Sequence, residues 1–451
     1  MRSAGFVIVM VDQNCQVAPD CYDAAHEGEP MTQLLWQIPA LFLGAFALAF
    51  ATNWLSLIPW RRTGSAHWTE RARLLWPARV SATSNTLVIP AVLYLTLKLC
   101  YPQAAGAWFL LVVAALLGAI LGTLSMNREI FAGYDSRRLL QHLAAFWVLH
   151  LGIWLFFLGG VALMPEEFGW VTLPIIIIIL AFHFFWQYGL NLKFLRLVKL
   201  LKPATPRLVQ IVQQTSSKMR VQVKEVWMLE GPMAQAYAFP TTNVLLFSNR
   251  LLELCDDAEV SSICAHELGH LTESKTTLAG RLLGSLAIFP WLLIKPAMNY
   301  LGFFGLVLIA VLMFVVLRFS RSLSLRMEKR ADQIAKENEL DDGAYAQALE
   351  KVYRENLLPA VNPTNKQTHP HLYDRLLAAG VTPDYPRPKA PAKQTRMGMV
   401  MAMGVGFLVA ANFILPSLHG GKPLIANAPT SYTNSPPLQN PDPQPIRLLS
   451  F

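Results

Sequence analysis

Long apolar runs alternate with short polar segments over most of this chain. Eight of these runs are long enough, at roughly 20 residues each, to cross a hydrocarbon core of about 30 Å as helices. They cover residues 32–58, 86–102, 106–126, 142–164, 171–190, 279–298, 300–317 and 397–417. The pattern predicts a mainly α, polytopic helical membrane protein of about eight spans.

The polar segments on either side of the sixth and seventh runs have a different pattern. A helical period starts at Thr205 and Pro206, and short runs rich in β-branched and aromatic residues follow in VQVKEVWML, AQAYAF and TNVLLFSN. Such runs, separated by EGP and PTT, are typical of strands and turns. We therefore predict a small α+β unit that a two-helix membrane hairpin interrupts.

These patterns divide the chain into seven segments. An N-terminal segment precedes the first span, and the Pro-rich end of the chain is expected to be disordered because it has few apolar residues to bury. The segments are residues 1–31, a five-span membrane domain at 32–192, the first part of the α+β unit at 193–277, the hairpin at 278–317, the second part of the unit at 318–396, the last span at 397–417 and the Pro-rich tail at 418–451.

The amino-acid composition supports a membrane protein. Of the residues, 53% are hydrophobic and only 15% are charged, whereas about a quarter of a soluble chain is charged. The net charge of +9 does not indicate a nucleic-acid site, because the basic residues cluster at the ends of the apolar runs. Such clusters mark the cytoplasmic side. They place residues 193–277 and 318–396 in the cytoplasm and both termini outside. We expect a multi-pass protein of a bacterial inner membrane.

The stretch CAHELGHLTESK carries the strongest chemical signal. Asp256 and Glu259 form a capping-box-like helix start ahead of it. His266 and His270 are four residues apart, so on a helix their imidazoles share one face and can bind one metal ion. Glu267 lies beside the first histidine. This HExxH arrangement is typical of zinc hydrolases, in which the glutamate is general base and acid for a water that attacks a peptide carbonyl.

A catalytic zinc site needs a third protein ligand and keeps one position open. The segment EKRAD supplies Glu328, and Asp332 follows one helical turn later. Glu328 can be the third ligand, and Asp332 can accept a hydrogen bond from a liganding histidine. We expect one Zn²⁺ per chain, since a His, His, Glu set favours zinc over other divalent ions.

The cysteines suggest no further metal site. Cys15 and Cys21, on the predicted outer side, either form a disulfide or stay as unpaired thiols. Cys255 and Cys264 lie close to the histidines without a CxxC pairing, and we expect them to pack in the core.

Four segments in order resemble one known family. They are AYAFPTTNVLLFSNRLLEL, AHELGHLTE, EKRADQIA and THPHLYDRLLAAG. Over about residues 200–380 the chain resembles the membrane-bound zinc metallopeptidases that include HtpX and the CAAX prenyl endopeptidases. In that family, too, a hairpin of spans separates the zinc helix from the third ligand.

This resemblance implies roles for further residues. His369 looks like the histidine of the family that helps to stabilise the oxyanion of the tetrahedral intermediate, and Arg375 looks like its accompanying arginine. The segment QAYAF resembles the edge strand against which an extended peptide substrate lies. Its substrate-binding residues would be Gln235, Ala236, Tyr237 and Ala238, with Gln235 standing where the family often has Asn.

The implied function is that of a membrane-embedded zinc metalloendopeptidase that hydrolyses misfolded or damaged membrane proteins, as in HtpX-like quality control. A CAAX-type or other narrow-specificity endopeptidase is the alternative within the same class. A non-proteolytic membrane scaffold or transporter with a structural zinc site is the alternative of another class. The expected partners are protein or peptide substrates and the lipid bilayer, without nucleic acid, and the sequence leaves the oligomeric state open.

Overall fold

A computed structural model describes residues 29–100, 108–364 and 370–418, with side chains from residue 35 to residue 411. The two N-terminal cysteines, Cys15 and Cys21, lie outside the described residues. So do His369 and residues 419–451 of the tail.

Helices make up 73% of the structure. In chain order they are α1 (Glu29–Ser56), α2 (Ile58–Arg61), α3 (Trp68–Cys100), α4 (Trp108–Gly122), α5 (Leu124–Ile130), α6 (Ser136–Leu163), α7 (Thr172–Phe185), α8 (Asn191–Leu197), α9 (Pro206–Met219), α10 (Asn249–Leu254), α11 (Asp257–Leu271), α12 (Lys275–Ser285), α13 (Ile294–Leu301), α14 (Phe303–Asn338), α15 (Ala344–Glu355), α16 (Leu372–Ala378) and α17 (Arg396–Leu418). A π-helical turn, Trp186–Leu190, joins α7 to α8, and a 3₁₀ turn, Phe289–Leu293, joins α12 to α13.

Among the described residues, seven helical stretches are long and apolar enough to cross a membrane. They are Leu35–Arg61, Trp68–Cys100, Trp108–Ile130, Ser136–Leu163, Thr172–Leu197, Lys275–Leu301 and Phe303–Asn338. The predicted mainly α polytopic fold is confirmed. The eighth predicted span falls on α17, whose described apolar part, Arg396–Ala411, is shorter than the other seven.

In the described part of the chain, four short strands form a single sheet in the order β1-β2-β4-β3. The strands are β1 (Leu201–Pro203), β2 (Glu225–Leu229), β3 (Ala236–Phe239) and β4 (Val244–Ser248), and only the β2–β4 pair is parallel. All five residues of β4 are buried, because a neighbouring strand lies on each side of it and packed elements cover both of its faces. β3 is the last strand in this order, so it is an edge strand.

The two faces of the sheet pack against different parts of the molecule. Leu245 and Phe247 point into a core shared with α9 and α11. Val244 and Leu246 alternate with them and point the other way, into a core shared with α6 and α8. The sheet is thus enclosed between the helix that carries HExxH and the membrane domain.

The hairpin leaves the α+β unit after α11 and returns through α14. Helix α14 is 36 residues long, so its apolar first half and the polar segment with Glu328 form one continuous helix. Lys295 fixes the hairpin to α6 by donating hydrogen bonds to the carbonyls of Ala162 and Met164 at 2.8 and 2.9 Å. These carbonyls end a helix, where a positive charge is favourable.

Candidate active site

Helix α11 begins with a complete capping box. The N–H of Glu259 donates to Asp256 Oδ1 at 2.9 Å, and the N–H of Asp256 donates to Glu259 Oε2 at 3.0 Å. Val260, Cys264 and Leu268 then pack inward, fully buried. The cap and this apolar face fix the rotation of α11, and therefore the direction in which its two histidines point.

His266, His270 and Glu328 bring three possible ligand atoms to within 4.8 Å of one another. His266 Nε2 lies 3.8 Å from Glu328 Oε2, and His270 Nε2 lies 3.6 Å from Glu328 Oε1. Ligands at about 2.0–2.2 Å from a tetrahedral zinc ion are roughly 3.4 Å apart. Two imidazole nitrogens and one carboxylate group at this spacing fit the three protein ligands of a catalytic zinc site, which leaves the fourth position to water.

A glycine permits the close approach of α11 and α14. A Cβ built on Gly269 would lie 3.2 Å from Ala331 Cα, a backbone atom that cannot move independently of its helix. Because Gly269 has no side chain, the helix that carries Glu328 can pack directly on the helix that carries the histidines.

The other ring nitrogen of His266 faces a buried polar cluster. The hydroxyl of Tyr345 lies 2.8 Å from His266 Nδ1 and donates to Asp332 Oδ1 at 2.6 Å. His266 Nδ1 is also 3.2 Å from Asp332 Oδ1. Both neighbours can accept a proton from Nδ1, which favours the tautomer whose Nε2 lone pair points toward Glu328.

Arg375 donates hydrogen bonds to both other members of this cluster, Asp332 and Tyr345. Its Nε donates to Asp332 Oδ2 at 2.9 Å, and its Nη2 donates to Asp332 Oδ1 at 2.5 Å and to the Tyr345 hydroxyl at 2.8 Å. Burial alone would raise the pKa of Asp332, but the hydrogen bonds and charges of His266 and Arg375 hold that pKa well below its usual range. Asp332 is therefore a carboxylate at neutral pH.

His270 has its own carboxylate partner. Its Nδ1 lies 2.9 Å from Glu273 Oε1, and Arg281 Nη1 donates to both oxygens of Glu273 at 2.9 and 3.0 Å. The Glu273 side chain is only 1% exposed. Burial opposes its ionisation, yet His270 and Arg281 lower the pKa of Glu273. Arg281 lies on α12, so the first helix of the hairpin is tied to one of the possible metal ligands.

Glu267 lies between the ligands and the edge strand, with 9% of its surface exposed. Burial is the main effect that raises the pKa of its carboxyl; the two histidines and a backbone hydrogen bond from Ala238 act against this rise. The side chain is therefore next to both the possible metal position and β3.

The backbone of β3 has one free edge. The N–H of Ser248 in β4 donates to Gln235 O at 2.9 Å, and pairing then continues from Ala236 to Phe239. Antiparallel pairing alternates, so the amide groups of Ala236 and Ala238 point away from β4. They face the side on which an added strand would bind.

The structure brings most of the predicted site residues together. His266, His270 and Glu328 surround one point, with Glu267 beside them. Asp332 lies next to the first histidine, and Ala238 of the predicted substrate segment contacts Glu267. Arg375 contacts Asp332 and Tyr345. His369 lies outside the described residues.

Three contributors were missed in the sequence. Glu273 lies one turn after His270, within the quoted HExxH stretch, and this spacing was a usable signal. Arg281 and Tyr345 had no such signal, because their contacts depend on how α12 and α15 fold back onto α11.

Cys255 and Cys264 are 4% and 0% exposed and pack in the core of the α+β unit. Burial raises the pKa of Cys255 to about 12 and also raises that of Cys264, as expected for thiols that pack in a core.

Residues 203–380 match the model of peptidase family M48. This family contains HtpX and the CAAX prenyl proteases, so the predicted resemblance is confirmed. The match starts at β1 and ends just after α16, and it includes the site residues described above. It supports a protease, in a chain whose seven apolar helices fit an integral membrane protein. No curated protein matches the chain.

Proposed function

We propose that this chain is a membrane-embedded zinc metalloendopeptidase that hydrolyses peptide bonds in misfolded or damaged membrane proteins. One zinc ion per chain would be held by His266, His270 and Glu328. The observation that carries the proposal is the convergence of these three ligand atoms beside Glu267 and the open edge of β3.

Zinc bound there would supply a Lewis acid that polarises the peptide carbonyl and lowers the pKa of a water molecule. The protein's own contribution is proton transfer. The carboxylate of Glu267 accepts the proton of the attacking water and then gives it to the nitrogen of the leaving amine. Burial raises the pKa of the Glu267 carboxyl, and the position of this side chain next to the possible metal site and β3 suits a group that both accepts and returns a proton.

The substrate would bind as an added strand on β3. The outward-facing backbone groups of Ala236 and the carbonyl of Ala238 can pair with any extended peptide backbone, whatever its sequence; the N–H of Ala238 already donates to Glu267. Recognition of this kind requires an unfolded segment. It therefore favours damaged or misfolded chains over a substrate defined by one short sequence.

The site would open on the cytoplasmic side of a bacterial inner membrane, with both termini outside. The basic clusters at the span ends support this orientation. Along α14, Glu328 lies about 16 Å beyond residue 317, where the apolar run ends. A peptide that emerges from the bilayer would thus reach the site directly.

The proposal is tested on detergent-purified protein by measuring zinc content and casein hydrolysis, with the wild type beside Glu267→Gln. We expect about one zinc in both proteins and hydrolysis by the wild type only. Zinc in both proteins with equal function in both would support a structural metal site instead. Hydrolysis restricted to a lipidated C-terminal peptide would replace the quality-control role by narrow specificity.

A further inference from the structure

A cavity of about 580 Å³ lies on the face of the sheet that is turned away from the zinc helix. Its walls come from α3, α5, α6, the π-helical turn and the sheet. Residues that represent these walls are Arg79, Asn127, Phe146, Trp147, Trp186 and Tyr237. The volume is within the range of about 300–1,000 Å³ that is typical of small-molecule sites.

This cavity lies outside the possible zinc position, although Gln235 and Tyr237 of the predicted substrate-binding segment line it. Leu246 and Tyr237 line it, and they belong to the face of the sheet opposite Leu245 and Phe247, which contact the core around α11. None of the three possible zinc ligands is among its lining residues. A molecule in the cavity would therefore contact the back of the substrate strand.

The lining is apolar and carries positive charge only. Aromatic and aliphatic side chains form most of it, and no Asp or Glu of the described residues is among them. Arg79 supplies the one permanent charge. It lies in the first half of α3, shortly before the apolar run 86–102 begins, and so at the end of the spanning part of this helix.

Only one of the three nitrogen atoms of the Arg79 guanidinium donates hydrogen bonds to the described residues. Its Nη1 donates to the carbonyls of Asn356 and Leu357 at 2.6 and 3.2 Å. Within the described ranges no carboxylate forms an ion pair with Arg79, and neither its Nε nor its Nη2 donates a hydrogen bond there. An anion in the cavity would supply the missing negative charge and accept from these two groups.

We propose that the cavity binds an amphiphile with an anionic head and an apolar chain, the chemistry shared by a fatty acid and an acidic phospholipid. The head lies against Arg79, and the chain lies along Phe146, Trp147 and Trp186. The occupant enters from the bilayer, because the walls are the ends of spanning helices. Basic pockets between membrane helices are known to hold anionic lipid heads in this way. A neutral apolar peptide would leave the guanidinium without a counter-charge.

The test uses delipidated, detergent-purified full-length protein and calorimetric titration. The probes are oleate against methyl oleate, and short-chain phosphatidylglycerol against phosphatidylcholine of the same chain length. We expect one anionic probe to bind per chain, at least tenfold more tightly than its neutral counterpart. Arg79→Gln should weaken that binding at least tenfold. Arg73→Gln, on the same helix but paired with Glu70, should leave it unchanged.

Arg79 also contacts the end of α15, so a second variant is needed that leaves this contact in place. Thr83→Trp fills the cavity from an exposed position of α3, and Thr96→Trp is its control on the same helix away from the cavity. Only Thr83→Trp should abolish binding.

The source of the amphiphile follows from competition. Displacement of oleate by phosphatidylglycerol supports a membrane phospholipid, and binding of oleate alone supports a free fatty acid. Equal binding of oleate and methyl oleate overturns the proposal, and so does full binding by Thr83→Trp. Displacement of oleate by a neutral apolar peptide also overturns it. None of these measurements depends on hydrolysis, so the result stands apart from the proposed peptidase activity.

Discussion

At the scale of single residues, the candidate site depends on the groups that contact Nδ1 of each histidine and so orient its ring. His266 has Asp332 and Tyr345 at its Nδ1, and His270 has Glu273. Each imidazole is thus turned so that Nε2 faces Glu328. Carboxylate partners of this kind fix the orientation of the ring and increase its basicity as a metal ligand.

Replacing Glu273 by alanine should lower zinc affinity about 10- to 100-fold, because His270 loses the acceptor that orients its ring. Competition with a chromophoric chelator measures this affinity directly. Glu273→Gln keeps an acceptor and should fall between the alanine variant and the wild type. Glu253→Ala, an exposed carboxylate that is away from the ligands, is the control. An unchanged affinity in Glu273→Ala would remove Glu273 from the site.

Arg375 permits a test between two roles. If it acts by holding Asp332, then Arg375→Gln leaves a buried carboxylate without its cation, which is strongly destabilising at about 3–5 kcal/mol. We expect lower zinc affinity, a lower melting temperature and lower kcat together. If Arg375 stabilises an oxyanion, as the family resemblance implies, kcat falls while zinc affinity stays at the wild-type level. Metal titration and hydrolysis on the same preparation distinguish the two results.

At the scale of secondary-structure elements, hydropathy located the membrane helices but not their lengths. The run 86–102 is only the second half of α3, which begins at Trp68 and includes several arginines. The run 300–317 is likewise the first half of α14. Hydropathy indicates which part of a helix can lie in lipid, but not where the helix itself begins or ends. A helix continues into water wherever its backbone bonds and packing persist, so such boundaries cannot be read from apolar runs alone.

The sheet shows what local sequence patterns leave undetermined. Strand-like runs were visible, but the order β1-β2-β4-β3 depends on pairing between distant segments. That β3 lies at the edge was implied only by the family resemblance. In the same way, the HExxH spacing predicted the two histidines, whereas Tyr345 reaches His266 only because α15 packs across α11.

The contact between α11 and α14 leads to a prediction about packing. Gly269→Ala places a Cβ 3.2 Å from the backbone of Ala331, so the two helices must move apart. Overpacking of this kind costs about 1–3 kcal/mol, more than the gain in helix propensity. We expect a lower melting temperature and weaker zinc binding, since Glu328 moves with α14. Gly404→Ala, in α17, has no atom within 4 Å of the new methyl group and should be neutral. Equal zinc affinity in both variants would argue against the close approach.

At the scale of the whole molecule, one buried asparagine links the membrane domain to the substrate strand. Asn356 is 3% exposed and binds the backbone of Ala234 twice, accepting from its N–H at 3.0 Å and donating to its carbonyl at 2.7 Å. Its own carbonyl accepts from Arg79 in the membrane helix α3. Ala234 directly precedes the segment from Gln235 to Ala238, so the membrane domain and the start of β3 are held in one arrangement.

Asn356→Ala should therefore misplace the strand without disturbing the metal. Two buried backbone groups of Ala234 would lose their partners, at a cost of about 1–3 kcal/mol each, and β3 would shift relative to Glu267. We expect KM for casein to rise severalfold while zinc content stays at the wild-type level, as measured by hydrolysis over a range of substrate concentrations and by metal analysis. Asn338→Ala, which removes a hydrogen bond to the Ile334 carbonyl of its own helix, is the control.

A fall in zinc content with unchanged KM would show that Asn356 supports the metal site rather than the strand. An effect on KM alone would indicate that the membrane domain helps to position the substrate strand, which would give the N-terminal half of the chain a direct part in proteolysis.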